Sequence, residues 1–158
     1  MRETYANICD EGKIIKAVAP LYAGKNSLLT VVLQYVFQVI RLSGSGREEE
    51  ACALESILSE KLVDFEKLGA RIEKLGATPV FTACPPYPVS YHSAAHVDYA
   101  KPYPLMLAAD IRLEQKLAEA FGEAISAVED REVIEVLNLL RESSRRHLAR
   151  LQTLLEYA

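Results

Sequence analysis

The sequence predicts an all-α protein, a four-helix bundle with one long crossover between its second and third helices. Three observations predict it. Apolar residues recur at helical spacing in four segments, short polar turns separate the first two and the last two segments, and a proline-rich stretch separates the two pairs. No sustained alternation of apolar and polar residues, the pattern typical of strands, lies between turn residues.

Each of the four segments carries one apolar stripe whose members step by four and three residues, which is typical of the buried seam of a bundle. A Ser-Gly-Ser-Gly turn at 43–46 separates the first two segments, and Glu129-Asp130 separates the last two, so each pair is antiparallel. Gly76 follows the second segment, where a helix C-terminus favours glycine. The predicted helices span residues 25–42, 48–75, 104–128 and 132–157.

The stretch of residues 77–103 connects the two pairs and holds five of the seven prolines and two of the three histidines. At roughly 3.3 Å per residue it is long enough to run along the ~40 Å length of the second helix. The third helix then starts at the same end of the bundle as the second, which requires one long crossover. We expect one domain over residues 1–158, with residues 1–21 as an N-terminal segment.

Charge and composition argue against several classes of partner. Lys and Arg number 18 against 22 Asp and Glu, a net charge of −4, so no basic excess exists to bind nucleic acid or an anionic membrane surface. The most apolar run, residues 28–40, is shorter than the about 20 residues that span a bilayer, so we expect no membrane insertion. The three cysteines are far apart in sequence, which favours a reducing, cytoplasmic location.

Charged and polar residues interrupt the apolar stripes near the middle of three helices. Lys61 lies on the stripe of the second helix, Glu114 on that of the third, and Ser144 and His147 on that of the fourth. Asp64, three residues after Lys61, shares its helix face. Unpaired buried charges are costly, so we expect these side chains to contact one another or a metal ion. In the alternative, Lys61 and Glu114 lie at the stripe edges and extend to solvent.

Three parts of the chain resemble bacterial ferritin-like proteins of the rubrerythrin and manganese-catalase kind. Residues 22–35 (YAGKNSLLTVVLQY) are similar to the first helix of that family. Residues 65–69 (FEKLG) and 74–79 (KLGATP) resemble the end of its second helix, and residues 106–114 (MLAADIRLE) resemble the start of its third. The resemblance implies a ferritin-like bundle over residues 22–156.

The resemblance also implies where a metal site would lie. The family builds a dinuclear iron or manganese site from six ligands, with a Glu on each of the first and third helices and a Glu-x-x-His pair on each of the second and fourth. Only the third-helix Glu and the fourth-helix His are retained here, so the resemblance implies a degenerate site. The six family positions fall on Leu28, Lys61, Asp64, Glu114, Ser144 and His147.

The charges of this layer favour a protein without a metal cofactor. Asp64 and Glu114 face the positive charge of Lys61, His147 can add a proton, and apolar Leu28 fills the remaining volume. The Lys61 ammonium supplies the charge that a metal would bring, and it would repel one. We therefore expect a structural or partner-binding protein, which forms a homo-oligomer or assembles with a related ferritin-like chain.

The alternative is a metal-dependent oxidoreductase with a reduced site. Asp64, Glu114 and His147 would bind one iron, manganese or zinc ion, Lys61 would act as an acid/base or electrostatic group, and Tyr35 would be the nearest redox-active side chain.

A secondary candidate lies in the crossover. His92 and His96 would share one face if this segment were helical, with Asp98 and Cys84 nearby in sequence. That spacing is compatible with a metal or ligand site, and equally with ordinary polar residues of a packed connection.

Overall fold

The computed structural model describes residues 2–83 and 90–158, with side chains described from residue 12 onward, and the described chain is helical apart from its connections. The all-α prediction is confirmed, and each of the four predicted helices is present with its ends within three residues of the expected positions. We number the helices in chain order: α1 is Arg2–Ala23, α2 is Leu28–Gly44, α3 is Glu48–Lys74, α4 is Tyr103–Ala127 and α5 is Arg131–Glu156.

Short turns at both ends of the bundle set the pairing of the helices. The turn from α2 to α3 contains Gly46 at φ 76°, a left-handed conformation that glycine adopts without strain. Gly76 follows α3 at φ 91°, as the sequence predicts. Asp130 caps α5, where its side chain accepts a 3.0 Å hydrogen bond from Val133 N–H. Helices α2 and α3, and helices α4 and α5, therefore pack as antiparallel hairpins.

Helix α1 is an element that the sequence analysis did not predict, because it treated residues 1–21 as an N-terminal segment. The side chain of Tyr22 stacks on Phe65 of α3, with ring centroids 4.7 Å apart, and its hydroxyl donates to the Pro79 carbonyl at 2.8 Å. A Cβ at Gly69 would lie 3.2 Å from the Tyr22 ring, so this glycine allows the close approach. These contacts attach the end of α1 to α3 and to the start of the crossover.

The crossover is described over residues 75–83 and 90–102, and the second of these parts lies against α2. In the first part, the Phe81 ring contacts Tyr22 of α1 and Phe65 of α3. The Asp98 N–H donates to Gln34 Oε1 at 3.0 Å, and the Tyr99 ring meets Phe37 edge-on with centroids 4.9 Å apart. A short 3₁₀ helix, Ala94–His96, lies within this part. The long connection between the second and third predicted helices is thus confirmed. Cys84 lies outside the described residues.

Among the described residues, one stretch, Gly12–Gly44, is long and apolar enough by length and composition to cross a membrane, with a mean hydropathy of 1.3. Within the bundle, 56% of its most apolar window is buried. The stretch comprises the end of α1 and all of α2, with a turn at residues 24–27 between them. Core helices of ordinary bundles meet the same criterion, so the absence of membrane insertion stays a prediction.

Candidate functional site

A buried ion pair occupies the centre of the bundle. Lys61 Nζ lies 2.8 Å from Glu114 Oε2, and neither side chain has any solvent exposure. Lys61 also donates to Ser144 Oγ at 2.9 Å, and the Tyr35 hydroxyl donates to Glu114 Oε1 at 3.0 Å. We call Lys61 and Glu114 the central pair. Together with its partners Tyr35 and Ser144, the central pair takes one side chain from each of the helices α2 to α5. The alternative in which Lys61 and Glu114 extend to solvent is not what the structure shows.

Burial and the neighbouring charge of Lys61 shift the pKa of Glu114 in opposite directions. Burial raises the pKa of Glu114, and Lys61, Tyr35 and Ser144 all counteract that rise. Burial, together with the negative charge of Glu114, raises the pKa of Tyr35 well above its usual value, so this phenol keeps its proton and can donate it. Two buried charges are tolerated only when both are paired and hydrogen-bonded, which is the arrangement here.

Asp64 does not join the central pair, contrary to the expectation from its helical spacing. Ser143 Oγ donates to Asp64 Oδ2 instead. Burial raises the pKa of Asp64, and the Ser143 hydrogen bond and the Lys61 charge oppose that rise. A residue three positions along an α-helix points about 60° away from the first, so Lys61 and Asp64 share a face but reach different neighbours.

His147 also has a separate partner. Its Nε2 lies 2.9 Å from Glu60 Oε2, which accepts a further hydrogen bond from Arg150 at 2.6 Å. Burial, reinforced by the Lys61 charge, lowers the pKa of His147 to about 4. Because a carboxylate only accepts, the neutral ring carries its proton on Nε2. Its Nδ1 is buried and has no partner among the described residues.

Glu60 is a site residue that the sequence analysis missed. It immediately precedes Lys61 and is half exposed, so it does not interrupt the apolar stripe of α3. Its partners His147 and Arg150 are three residues apart on α5, a spacing that places them on one face. In the sequence, this pair of basic residues on α5 indicates that an acidic residue faces it from a neighbouring helix.

Leu28, the remaining family position, lies at the start of α2 and is fully buried in the apolar core. Its side chain has no donor atom for a metal. In the described parts of the chain, no group of three or more His, Cys, Asp or Glu residues is arranged to hold a metal ion.

The two crossover histidines lie close together, although the segment is not an α-helix. Their ring centroids are 5.5 Å apart, and only His96 belongs to the 3₁₀ turn. His92 Nε2 is 2.8 Å from Thr30 Oγ1, which itself donates to the Gly24 carbonyl. Burial and the neighbouring His96 lower the pKa of His92. The tether to Thr30 gives His92 a structural role, in attaching the crossover to the start of α2.

A second buried polar group was not singled out from the sequence. Asp110 of α4 accepts hydrogen bonds from Gln34 and Gln38 of α2, each 2.8 Å long. The two glutamines are four residues apart within an apolar run, and Asp110 lies four residues before Glu114. Both spacings correspond to one helical turn, so the sequence already placed the two glutamines on one face of their helix and the two acidic residues on one face of theirs.

Comparisons with known proteins support the fold. No family model matches the chain, and no curated protein matches it. The manganese catalase KatB from Anabaena PCC7120 superposes with a TM-score of 0.78 at 17% identity, over 94% of this chain and 73% of that chain. A bacterioferritin from Desulfovibrio desulfuricans superposes with a TM-score of 0.81 at 17% identity, over 96% of this chain and 82% of that chain. The chain therefore has the ferritin-like bundle fold that its sequence predicts.

The central residues of this chain do not fit the metal groups of those structures. KatB is a manganese catalase, and the bacterioferritin structure has a diiron site. Here the centre offers one carboxylate, that of Glu114, with an ammonium group 2.8 Å from it. Two divalent cations require several carboxylates and imidazoles directed at one point. Asp64 and His147 are instead engaged with Ser143 and Glu60.

The central pair predicts how its removal affects stability. Lys61→Ala leaves the Glu114 carboxylate buried without its counter-charge and should lower the free energy of unfolding by about 3–5 kcal/mol. The double variant Lys61→Met/Glu114→Gln removes both charges and should cost much less. Urea unfolding measures both, with Lys67→Ala, an exposed lysine on the same helix, as the control. Equal, small losses in the first two variants would contradict this account.

The burial of neutral His147 predicts a pH dependence. Its pKa is about 4 in the folded protein and near 6.5 when exposed, so the unfolded chain binds the proton first. Its contribution to stability should therefore be lost as the pH falls from about 6.5 to about 4. His147→Gln cannot titrate, and the difference between its unfolding free energy and that of the parent should follow this window. Parallel profiles for His147→Gln and the parent would refute the assignment.

Proposed function

We propose that this chain is a ferritin-like bundle protein that has replaced the dinuclear metal site with the central pair, and that its role is structural or partner-binding. The carrying observation is the Lys61–Glu114 pair, fully buried and completed by Tyr35 and Ser144. The ammonium neutralises the carboxylate as a metal would, so the folded bundle needs no cation at its centre.

The alternative, an iron or manganese oxidoreductase using Asp64, Glu114 and His147, has less support. Each of these three side chains has its own partner: Ser143 for Asp64, Lys61 for Glu114 and Glu60 for His147. Assembling them around one metal would break these three interactions. The Lys61 charge would oppose the cation throughout.

We propose that the partner is a second copy of this chain, which docks on the outer face of α2. Helix α2 carries no charged residue between Leu28 and Ile40, and Ile40 is 65% exposed. Leu33 and Val36 are partly exposed at helical spacing from Ile40. A helix that is apolar on all sides normally packs on all sides. A related ferritin-like chain in the same position is the second outcome that the test below distinguishes.

Net charge and cysteine spacing support two further proposals, about nucleic acid and about location. A net charge of −4 supports the proposal that nucleic acid is not a partner. The three cysteines, widely separated in sequence, support a cytoplasmic location.

Metal content tests the proposed loss of the dinuclear site. The protein, purified without chelators from cells supplied with iron and manganese, should hold well under one transition metal per chain by elemental analysis, because Lys61 occupies the centre. Lys61→Glu removes the ammonium and adds a carboxylate, so its melting temperature should rise more with added Mn²⁺ than that of the parent. Stoichiometric iron or manganese in the parent, lost in Glu114→Gln, would establish the oxidoreductase alternative instead.

Sedimentation equilibrium tests the proposed interface. The purified parent should be an oligomer, and Ile40→Lys should weaken association at least about tenfold, because it places a charge in an apolar contact. Leu139→Lys is the matched control, since Leu139 is 64% exposed on α5, away from the α2 face. A monomeric parent that associates only with a related chain would identify a mixed assembly, and equal effects of both variants would place the interface elsewhere.

A further inference from the structure

The Asp110 carboxyl is buried between α2 and α4 with an uneven set of partners. Asp110 is 1% exposed. Its Oδ1 accepts hydrogen bonds from the side-chain amides of Gln34 and Gln38, each at 2.8 Å. Its Oδ2 is buried and has no partner among the described residues, and the same is true of Gln38 Oε1. The Asp110 carboxyl and the Gln38 amide thus share one hydrogen bond, and the second oxygen of the carboxyl and the oxygen of the amide are left unsatisfied.

The chemistry of the two unsatisfied atoms points to a missing hydrogen. A carboxylate oxygen and an amide oxygen are both acceptors, so an ionised Asp110 leaves both without a donor. A neutral carboxylic acid has one O–H, which the amide oxygen can accept. Acid and amide then form a ring of two hydrogen bonds, N–H to Oδ1 and O–H to Oε1. Buried polar atoms without partners are costly, and this ring removes both of them.

The surrounding charges also disfavour ionisation of Asp110. Glu114 on its own helix and Asp98 of the crossover are the charged groups that act on it most, and both are acidic. The nearby phenols, Tyr35 of α2 and Tyr103 of α4, supply no positive charge. Lys61 of α3 is paired with Glu114.

Burial is the main cause of the raised pKa of Asp110, and its neighbours change the size of the rise. Burial raises the pKa of Asp110 to about 8, against the hydrogen bonds from Gln34 and Gln38, and with support from the Glu114 charge. The two unsatisfied oxygens and the raised pKa both indicate that the Asp110 carboxyl is neutral.

Gln34 connects Asp110 to the crossover. Its Nε2 donates to Asp110 Oδ1, while its Oε1 accepts the backbone N–H of Asp98. One glutamine side chain on α2 therefore attaches both α4 and the end of the crossover. A charge that appeared on Asp110 would need water, and water could enter here only by loosening these attachments.

We propose that Asp110 is a buried proton-binding site whose carboxyl holds a proton on Oδ2, donates it to Gln38 Oε1, and releases the end of the crossover from α2 when that proton is lost. The ligand is the proton, which leaves to solvent as the carboxyl ionises. The proposal does not depend on the absence of a metal, because none of its residues belongs to the central pair or to the family metal positions.

Carbon-13 NMR of the unmodified full-length protein tests the proton site directly. The chemical shift of the assigned Asp110 carboxyl carbon should titrate with a midpoint above pH 7. A midpoint in the ordinary aspartate range, near about 4, would overturn the proposal. This measurement needs no variant, so it decides the question even if changes at Asp110 prevent folding.

Amide hydrogen exchange at Asp98 tests the release of the crossover. In the parent, the protection factor of this N–H should fall about tenfold per pH unit between the ordinary aspartate pKa of about 4 and the Asp110 midpoint, because each opening then releases one proton, and it should level off above the midpoint. Asp110→Asn can donate its amide N–H to Gln38 Oε1 at every pH, so its protection factor should stay constant. Protection in the parent that is independent of pH would overturn the release.

Discussion

The Lys61–Glu114 pair is the constraint on which the rest of the bundle depends. Two buried charges are tolerated only at hydrogen-bonding distance, and here each also has a partner from a further helix, Tyr35 and Ser144. The relative positions of all four bundle helices must therefore keep these contacts at hydrogen-bonding distance.

Other polar contacts lie around the central pair. Asp110, one helical turn before Glu114, is hydrogen-bonded to α2, and Gln34 extends the contact to the crossover. On the other side, His147 of α5 contacts Glu60 of α3. The fold is shared with a manganese catalase and a diiron bacterioferritin, but function depends on the residues placed on a fold and not on the fold alone.

Helical periodicity explains how much could be predicted. The four bundle helices and the crossover follow from spacing that is local to each segment, and Lys61 and Glu114 stand out because each interrupts an apolar stripe. Helix α1 was missed, although Ile14, Val18 and Leu21 step by four and three residues. Asp64 and His147 were expected at the centre, and their contacts with Ser143 and Glu60 were not.

The sequence by itself determined the four bundle helices, their antiparallel pairing, the long crossover and the presence of buried charge. Only the tertiary structure decided which polar side chains meet. The physical reason is that spacing along one helix defines a face, while a contact also depends on the rotation and sliding of the neighbouring helix, which involve residues far away in sequence. Lys61 and Ser144 are 83 positions apart, and Gln34 and Asp110 are 76 apart. Those relative positions are set by the packing of the whole core, and no local pattern encodes them.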